Sequence, residues 1–411
     1  MDDKTLYSLI LGINTPWRIT SVKLDQSQNT VFVEVDYDPD IPLTCPECEK
    51  HCTTHDHAPK RQWRHLDTCQ YKTVINVRPP RSNCPEHGVK TVRIPWAEKR
   101  SRFTVLFEAV IISWLKQASI KSVSKSFHLT WDEVDGIMQR AVERGLSRRK
   151  ITPIKNLGLD EKAFQKHHRY STILLNKDND TVIDVLDDRR KETLLAHLKS
   201  EKTQYSMLES VSLDMWDPYI GALLEFDPDL KAKLNFDRYH IAAHFSKGVD
   251  TVRASEHREL MADGDDSLKY SRFDWLKNAG NIDNRTRSEF MRLTKKTLRT
   301  ARAWAMKETA GQLWDYAYRE AAEKAWKRLT RWMLLSRLPA MINLAKTIRE
   351  YLYGIINAVV SGVTNAASES KNAVIQKIKA RACGYRNRER FRAAILFHLG
   401  GLDMAPTVYR Y

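Results

Sequence analysis

The sequence predicts a multidomain α/β protein: a small β-rich metal-binding head, a three-helix unit, and a mixed-sheet core interrupted by an all-helical insertion. Three observations carry that prediction. At 411 residues the chain exceeds the usual single domain. Its apolar pattern switches from strand alternation to helical spacing and back more than once. Cys and His residues gather in one early segment, whereas three acids, Asp160, Asp214 and Glu369, stand at separate points where strands or a helix would project a carboxylate.

The first 40 residues contain SVKLDQSQNTVFVEVDYD, two alternating runs around a polar turn, which predicts a β-hairpin. Two knuckles follow, Cys45-Pro-Glu-Cys48 and Cys84-Pro-Glu-His87. Their spacing supplies four soft or borderline ligands to one tetrahedral Zn²⁺, which would staple a head too small to bury a core of its own. Cys52, His55 and His57 lie between the knuckles as competing ligands. Four protein ligands leave no open position, so such a zinc is architectural. The intervening RQWRHLD and RPPRSNC place Arg beside aromatic and Pro residues, a pattern that suits phosphate contacts or plain surface.

From Arg102 to Arg149 the pattern turns helical. FTVLFEAVIISWLKQ, SIKSVSKSF and HLTWDEVDGIMQRAVERG read as three helices, and Thr130 followed by Glu133 is a capping box that starts the third. A short helix, a tight turn and an amphipathic helix form the layout that sets a recognition helix in the DNA major groove, although three-helix units also serve as plain packing modules. A basic, Pro-containing linker, SRRKITPIKN, leads to NLGLDEKAF, where alternation predicts a short strand that ends at Asp160 and projects its carboxylate.

YSTILLN and TVIDVLDD are two further strands around KDND. The helix KETLLAHLKS and a strand closing at Asp214 come next, followed by the helix DPYIGALLEF and the strand KAKLNFDRYH. Strand, strand, strand, helix, strand, helix, strand is the order of a ribonuclease H-like core. From Ile241 to about Gly362 only helical periodicity is visible, rich in Trp, Arg and Ala, and Glu369 then rides a last helix within TNAASESKNAVIQKIKARA. The expected domains are 1–100 (hairpin and zinc-binding head), 101–150 (helix-turn-helix), 151–240 (core, first part), 241–362 (helical insertion) and 363–411 (core, closing helix). Two strand Asp and one helix Glu are oxygen ligands fit to hold two Mg²⁺ (or Mn²⁺) roughly 3.5–4 Å apart, the arrangement of a phosphodiester-cutting site.

The net charge of +16 calls for a polyanionic partner, and nucleic acid fits best because Lys and Arg displace counterions from phosphates. The cations are spread along the chain rather than gathered beside an apolar segment, which disfavours a membrane surface. No stretch approaches 18 uninterrupted apolar residues and MDDKTLYSLI is not a signal peptide, so a cytoplasmic protein is expected. The basic run after Glu369 offers Lys377, Lys379, Arg381, Arg386 and Arg388 as phosphate contacts. Trp275, Trp304, Trp314, Trp326 and Trp332 in the helical stretch are expected mostly in the core, with one of them free to stack on a base near a cut.

Taken in order, CPEC, RQWRHLD, CPEHGVKTVRIPW, LGLDEKAFQKHHRYSTILLN, VSLDMWDPYI, NFDRYHIAAH and ASESKNAVIQKIKARACGYRNRERF give nearly the whole chain a close family likeness. It resembles the bacterial insertion-sequence transposases of the DDE class, specifically the ISL-three group. The resemblance implies that Asp160, Asp214 and Glu369 are the catalytic triad and that Asp237 and His240 form a D-x-x-H signature between the second Asp and the Glu. Asp237 is the rival of Asp214 for the second metal position, and His240 either orients a phosphate or packs. It further implies Mg²⁺-dependent cleavage and strand transfer on transposon ends and target DNA by a homo-oligomer, a dimer on paired ends. A zinc-containing DNA-binding regulator and a structure-selective nuclease of the same fold are the alternatives.

Overall fold

The computed structural model describes residues 2–165, 169–362 and 366–407, with the side chains of residues 169 and 366–369 outside the description. The chain forms two compact units, Met1–Arg149 with Leu402–Tyr411, and Lys150–Gly401.

In the first unit, α1 (Asp3–Leu11) precedes the hairpin of β1 (Trp17–Asp25) and β2 (Thr30–Tyr37). Its turn is made by Asp25, whose carboxylate accepts from the backbone N–H groups of Ser27 and Gln28, and by Asn29 at φ 51°. Strands β3 (Leu43–Thr44), β4 (His51–His57), β5 (Arg61–Thr68), β6 (Tyr71–Val77), β7 (Pro80–Cys84) and β8 (Gly88–Thr91) follow. They make two four-stranded sheets, β1-β2-β6-β5 and β3-β4-β7-β8. The first has a genuine core, in which Trp17 and Trp63 both meet Trp96 edge-on. The second has almost none, because His51, Thr53, Thr54, His55 and His57 of β4 all face water.

Helices α2 (Val105–Leu115), α3 (Ile120–Ser126) and α4 (Trp131–Arg148) complete this unit. Thr104, Ser119 and Thr130 each cap one of them through a side-chain oxygen, and the expected Thr130–Glu133 capping box is present. The turn between α3 and α4 includes His128 at φ 53°. Glu108 of α2 is buried and held by Arg140 and Arg144 of α4, so a fully satisfied ion network fixes how these helices cross.

The second unit is built on β9 (Asn156–Gln165), β10 (Arg169–Asn176), β11 (Thr181–Leu186), α5 (Lys191–Ser200), β12 (Ser210–Leu213), α6 (Asp217–Phe226) and β13 (Leu234–Phe236). The sheet order is β11-β10-β9-β12-β13. Its first three strands are antiparallel neighbours, whereas β12 runs parallel to both β9 and β13. Among the described residues nine α-helices follow: α7 (Arg238–Ala262), α8 (Arg272–Leu276), α9 (Asn284–Lys296), α10 (Leu298–Gln312), α11 (Arg319–Leu334), α12 (Pro339–Glu350), α13 (Leu352–Ser361), α14 (Ala366–Arg381) and α15 (Arg388–Leu399).

Two strand expectations need correction. The segment KAKLNFDRYH is a strand only over Leu234–Phe236, because Pro228–Lys233 turns as a 3-10 helix and Asp237 caps α7 with its own carboxylate. Asp160 does not close its strand either. β9 continues to Gln165 because β10 pairs with it as far as Arg169↔Gln165. Among the insertion Trp residues, Trp275 and Trp326 are fully buried, Trp304 and Trp314 pack partly buried against the same core, and Trp332 is exposed. No helix among the described residues is long and apolar enough to cross a membrane.

Candidate active site and metal centre

In the first unit Cys45, Cys48, Cys84 and His87 converge, their ligand atoms all within 4.8 Å of one another. Cys48 Sγ lies 3.7 Å from Cys84 Sγ, and His87 Nδ1 lies 3.6 Å from Cys84 Sγ and 3.9 Å from Cys45 Sγ. A tetrahedral ion with Zn–S of about 2.3 Å and Zn–N of about 2.05 Å spaces its ligands about 3.6–3.8 Å apart, so the set fits zinc. The knuckles form because Glu49 at φ 60° and Gly88 at φ 65° turn the chain tightly after each ligand pair. Cys52 instead hydrogen-bonds the Lys50 carbonyl, and His55 sits beside Asp56, so neither joins the cluster.

In the second unit the acids meet just beyond the last parallel pairs of the sheet, Asp160 within β9 and Asp214 and Asp237 directly after β12 and β13. Ser212 of β12 pairs with Gly158 of β9, so two residues on, Asp214 stands beside Asp160 on the same face of the sheet. Leu213 pairs in turn with Phe236, which brings Asp237 next to Asp214. His240, in the first turn of α7, bridges the two, with Nδ1 3.3 Å from Asp214 and Nε2 3.7 Å from Asp237. The two Asp residues differ in environment. Asp237 is 8% exposed, and one of its oxygens accepts from the Tyr239 N–H as the helix cap. The Asp214 side chain is 33% exposed, with one oxygen accepting from the Met215 N–H.

Asp160 accepts from its neighbour's backbone, Glu161 N–H at 2.7 Å, and from the side-chain amide of Asn372 on α14. Burial pushes its pKa above the ordinary carboxylate value, against the opposing pull of those two donors and of His240. The metal-free site therefore disfavours the charge that a cation would neutralise. Sequence reasoning missed Asn372, although its position three residues after Glu369, on the same helix face, was a readable signal.

Helix α14 runs along β9. Asn372 touches Asp160, and Lys379, two turns later, donates to the Ala163 carbonyl. Seven helical residues rise about 10.5 Å and three strand residues about 10 Å, so helix and strand advance together in the same direction. The backbone at position 369 is about one turn before Asn372 on α14. The side chain of Glu369 lies outside the described residues.

The basic run is partly committed to the protein. Besides Lys379, Arg388 donates to the carbonyls of Tyr170 and Asp187 and to Ser171 Oγ, and its guanidinium lies 4.7 Å from the centre of the Phe164 ring. Lys377, Arg381 and Arg386 are exposed or half-exposed on and just after α14.

Residues 157–395 match the family model of the ISL3 transposase DDE domain, described as a transposase. The chain belongs to the ISL3 family of transposases. Two further models match in the expected order, the zinc finger of the transposases of IS204, IS1001, IS1096 and IS1165 over residues 42–87 and the helix-turn-helix domain of the ISL3 family over 92–142. The transposase of insertion sequence element IS1001 from Bordetella parapertussis is 24% identical over 354 residues, covering 85% of this chain and 87% of that protein. The transposase of IS1557 from Mycobacterium tuberculosis is 24% identical over 436 aligned positions, covering 98% and 96%. This transposase is thus a DNA-binding enzyme that cuts and transfers DNA strands, with a zinc ribbon ahead of its helix-turn-helix and a DDE domain that uses divalent metal.

Proposed function

We propose that the second unit is a ribonuclease H-like catalytic domain in which Asp160, Asp214 and Glu369 hold two Mg²⁺ ions, Mn²⁺ serving as a substitute. The observation that carries this reading is the parallel register that sets Asp214, just after β12, beside Asp160 within β9, with Asn372 of the Glu369 helix touching Asp160. The strand order, three antiparallel strands followed by two parallel ones, agrees with such a core. The ions would activate the attacking oxygen and stabilise the leaving one. Asp214 is favoured over Asp237 because the latter is sunk in the fold and spends an oxygen on capping α7. His240 then acts as a positioning residue that holds the Asp214 carboxylate, and Asn372 does the same for Asp160.

On this reading the helix-turn-helix unit reads the terminal inverted repeats. Lys377, Lys379, Arg381, Arg386 and Arg388 flank the DNA backbone at the cut, and a dimer pairs two ends before the released 3′-OH attacks target DNA in the cytoplasm. The core takes 151–240 and, of the 363–411 segment read from the sequence, the part up to Gly401, around the 241–362 helical insertion, with Leu402–Tyr411 belonging to the first unit.

The test is cleavage and joining of labelled DNA carrying the element's own termini, with Mg²⁺. Asp160→Asn and Glu369→Gln should each abolish cutting while end binding stays within about twofold. Binding without cutting by the wild type would turn the reading to a DNA-binding regulator, and cutting without joining would turn it to a nuclease.

A further inference from the structure

A second feature lies beside the carboxylates and is used by none of the steps above. Arg189 is clamped between two rings, its guanidinium 4.3 Å from the centre of Tyr170 and 4.5 Å from that of Trp216. It also pairs with Glu161 at 3.0 Å, and Trp216 Nε1 donates to its carbonyl. Glu161 adjoins Asp160 and Trp216 follows Asp214 by two residues, so this stack is tied directly to both strand acids. It forms one wall of an open cavity of about 520 Å³, whose rim carries Arg190 and Arg388.

Four cations line the cavity, Arg189, Arg190, Lys191 and Arg388; the first three are ion-paired, Arg189 with Glu161, Arg190 with Asp188 at 3.7 Å and Lys191 with Glu225 at 2.8 Å. Arg388 donates to two carbonyls and a hydroxyl, neutral acceptors that leave its charge in place. The Arg190 side chain is 77% exposed at the mouth. Aromatic planes beside guanidinium groups match a base and its phosphate, and the volume falls in the roughly 300–1,000 Å³ range of small-ligand sites, too small for a base pair in a duplex.

Resting on the transposase active-site reading above, we propose that this cavity holds one unpaired nucleotide of the DNA end being cut. Its base stacks against the Tyr170–Arg189–Trp216 wall, and its phosphate lies between Arg190 and Arg388. Extruding that nucleotide costs stacking and pairing energy, which the wall returns. It also draws the backbone of the end toward Asp160 and Asp214.

The experiment uses the full chain and its own DNA end with 2-aminopurine placed, one position at a time, on either side of the cut. Fluorescence should rise at one position with wild type and stay low with Trp216→Leu. That variant should cut paired ends more slowly by on the order of tenfold, and a mismatch at the reporting position should restore its rate. Arg190→Ala, whose side chain stands in solvent, should show the same rescue with a smaller defect, which guards against a folding failure of the Trp216 variant. No rise at any position while wild type still cuts and joins would overturn the proposal and leave the active-site reading intact. A defect in both variants that a mismatch does not restore would assign the cavity to duplex backbone and overturn it equally. A wild type that never cuts would overturn both readings together.

Discussion

Replacing Asn372 with Ala isolates one contact of the proposed active site. Ala is the better helix former, so α14 itself is not weakened. What disappears is the side-chain donor to the Asp160 carboxylate, leaving the Glu161 N–H. A hydrogen bond to a charged group is worth about 1.5–3 kcal/mol, and the lower end already equals about tenfold in an equilibrium. The sign follows from the direction of the Asp160 shift. Burial already raises its pKa, so in the metal-free fold the protonated form is favoured at low pH and that stability is lost as pH rises through the folded value. Removing Asn372 raises the pKa further. Cation and proton compete for the same oxygens, so Asn372→Ala should weaken Mn²⁺ binding by up to about tenfold at a pH below the folded Asp160 value and hardly at all at a pH well above it. The acid limb of the cleavage profile should move to higher pH with it. Calorimetric titration of Mn²⁺ at the two pH values, paired with cleavage rates, reads both effects. An equal loss at both, or no loss at either, would refute the argument that this amide supports the charged form of Asp160.

Other outcomes follow from the same geometry. Chelation of zinc, or Cys84→Ser, should unfold the β3-β4-β7-β8 sheet, because that sheet has almost no core; zinc content should fall from one per chain to none, and limited proteolysis should then cut within 42–87 while the second unit stays protected. Gly354→Ala would put a methyl group 2.4 Å from two ring atoms of the buried Phe236 and should cost about 1–3 kcal/mol in urea unfolding. Since Phe236 immediately precedes Asp237, cleavage should fall with it. Asp214→Asn should abolish cutting at unchanged thermal stability, whereas Asp237→Asn, in which Asn still caps α7, should retain measurable cutting. The reverse pattern would make Asp237 the metal-holding residue.

The elements most legible in the sequence were those defined by local chemistry. Thr130 and Glu133 announce the start of α4 through a reciprocal cap, and the CPEC and CPEH knuckles announce their cluster through spacing alone. Helices α5 and α6 were readable to the residue from their apolar spacing. The extent of β9 was not, because it depends on where β10 stops pairing, which no local pattern encodes. The same holds for β13, which ends at Phe236 because Asp237 caps a helix instead of continuing a ladder. The aromatic clamp on Arg189 was invisible for a related reason: Tyr170, Arg189 and Trp216 come from three separate elements and meet only once the sheet is assembled.

The closing of that sheet also explains how a chain of net charge +16 keeps an acidic cluster at its centre. β12 pairs with β9 only as far as Gly158, and β13 adds three residues, so the parallel ladders end one or two positions before each Asp and leave the carboxylates gathered where that pairing stops. Cations stand just outside rather than among them. Burial lowers the pKa of Lys162, two residues from Asp160, and that of Lys379 on the facing helix. Both side chains are thus held where a charge is costly until something anionic arrives. A phosphodiester entering beside Asp160 would supply that counter-charge to the lysines while divalent cations neutralised the acids, so each half of the site is completed by what the other half's ligand lacks. Substrate and metal should therefore bind with positive coupling: DNA ends should tighten Mn²⁺ affinity, and by reciprocity Mn²⁺ should tighten end binding by the same factor. Lys162→Met should shrink that factor in both directions, and a change in one direction alone would contradict the linkage.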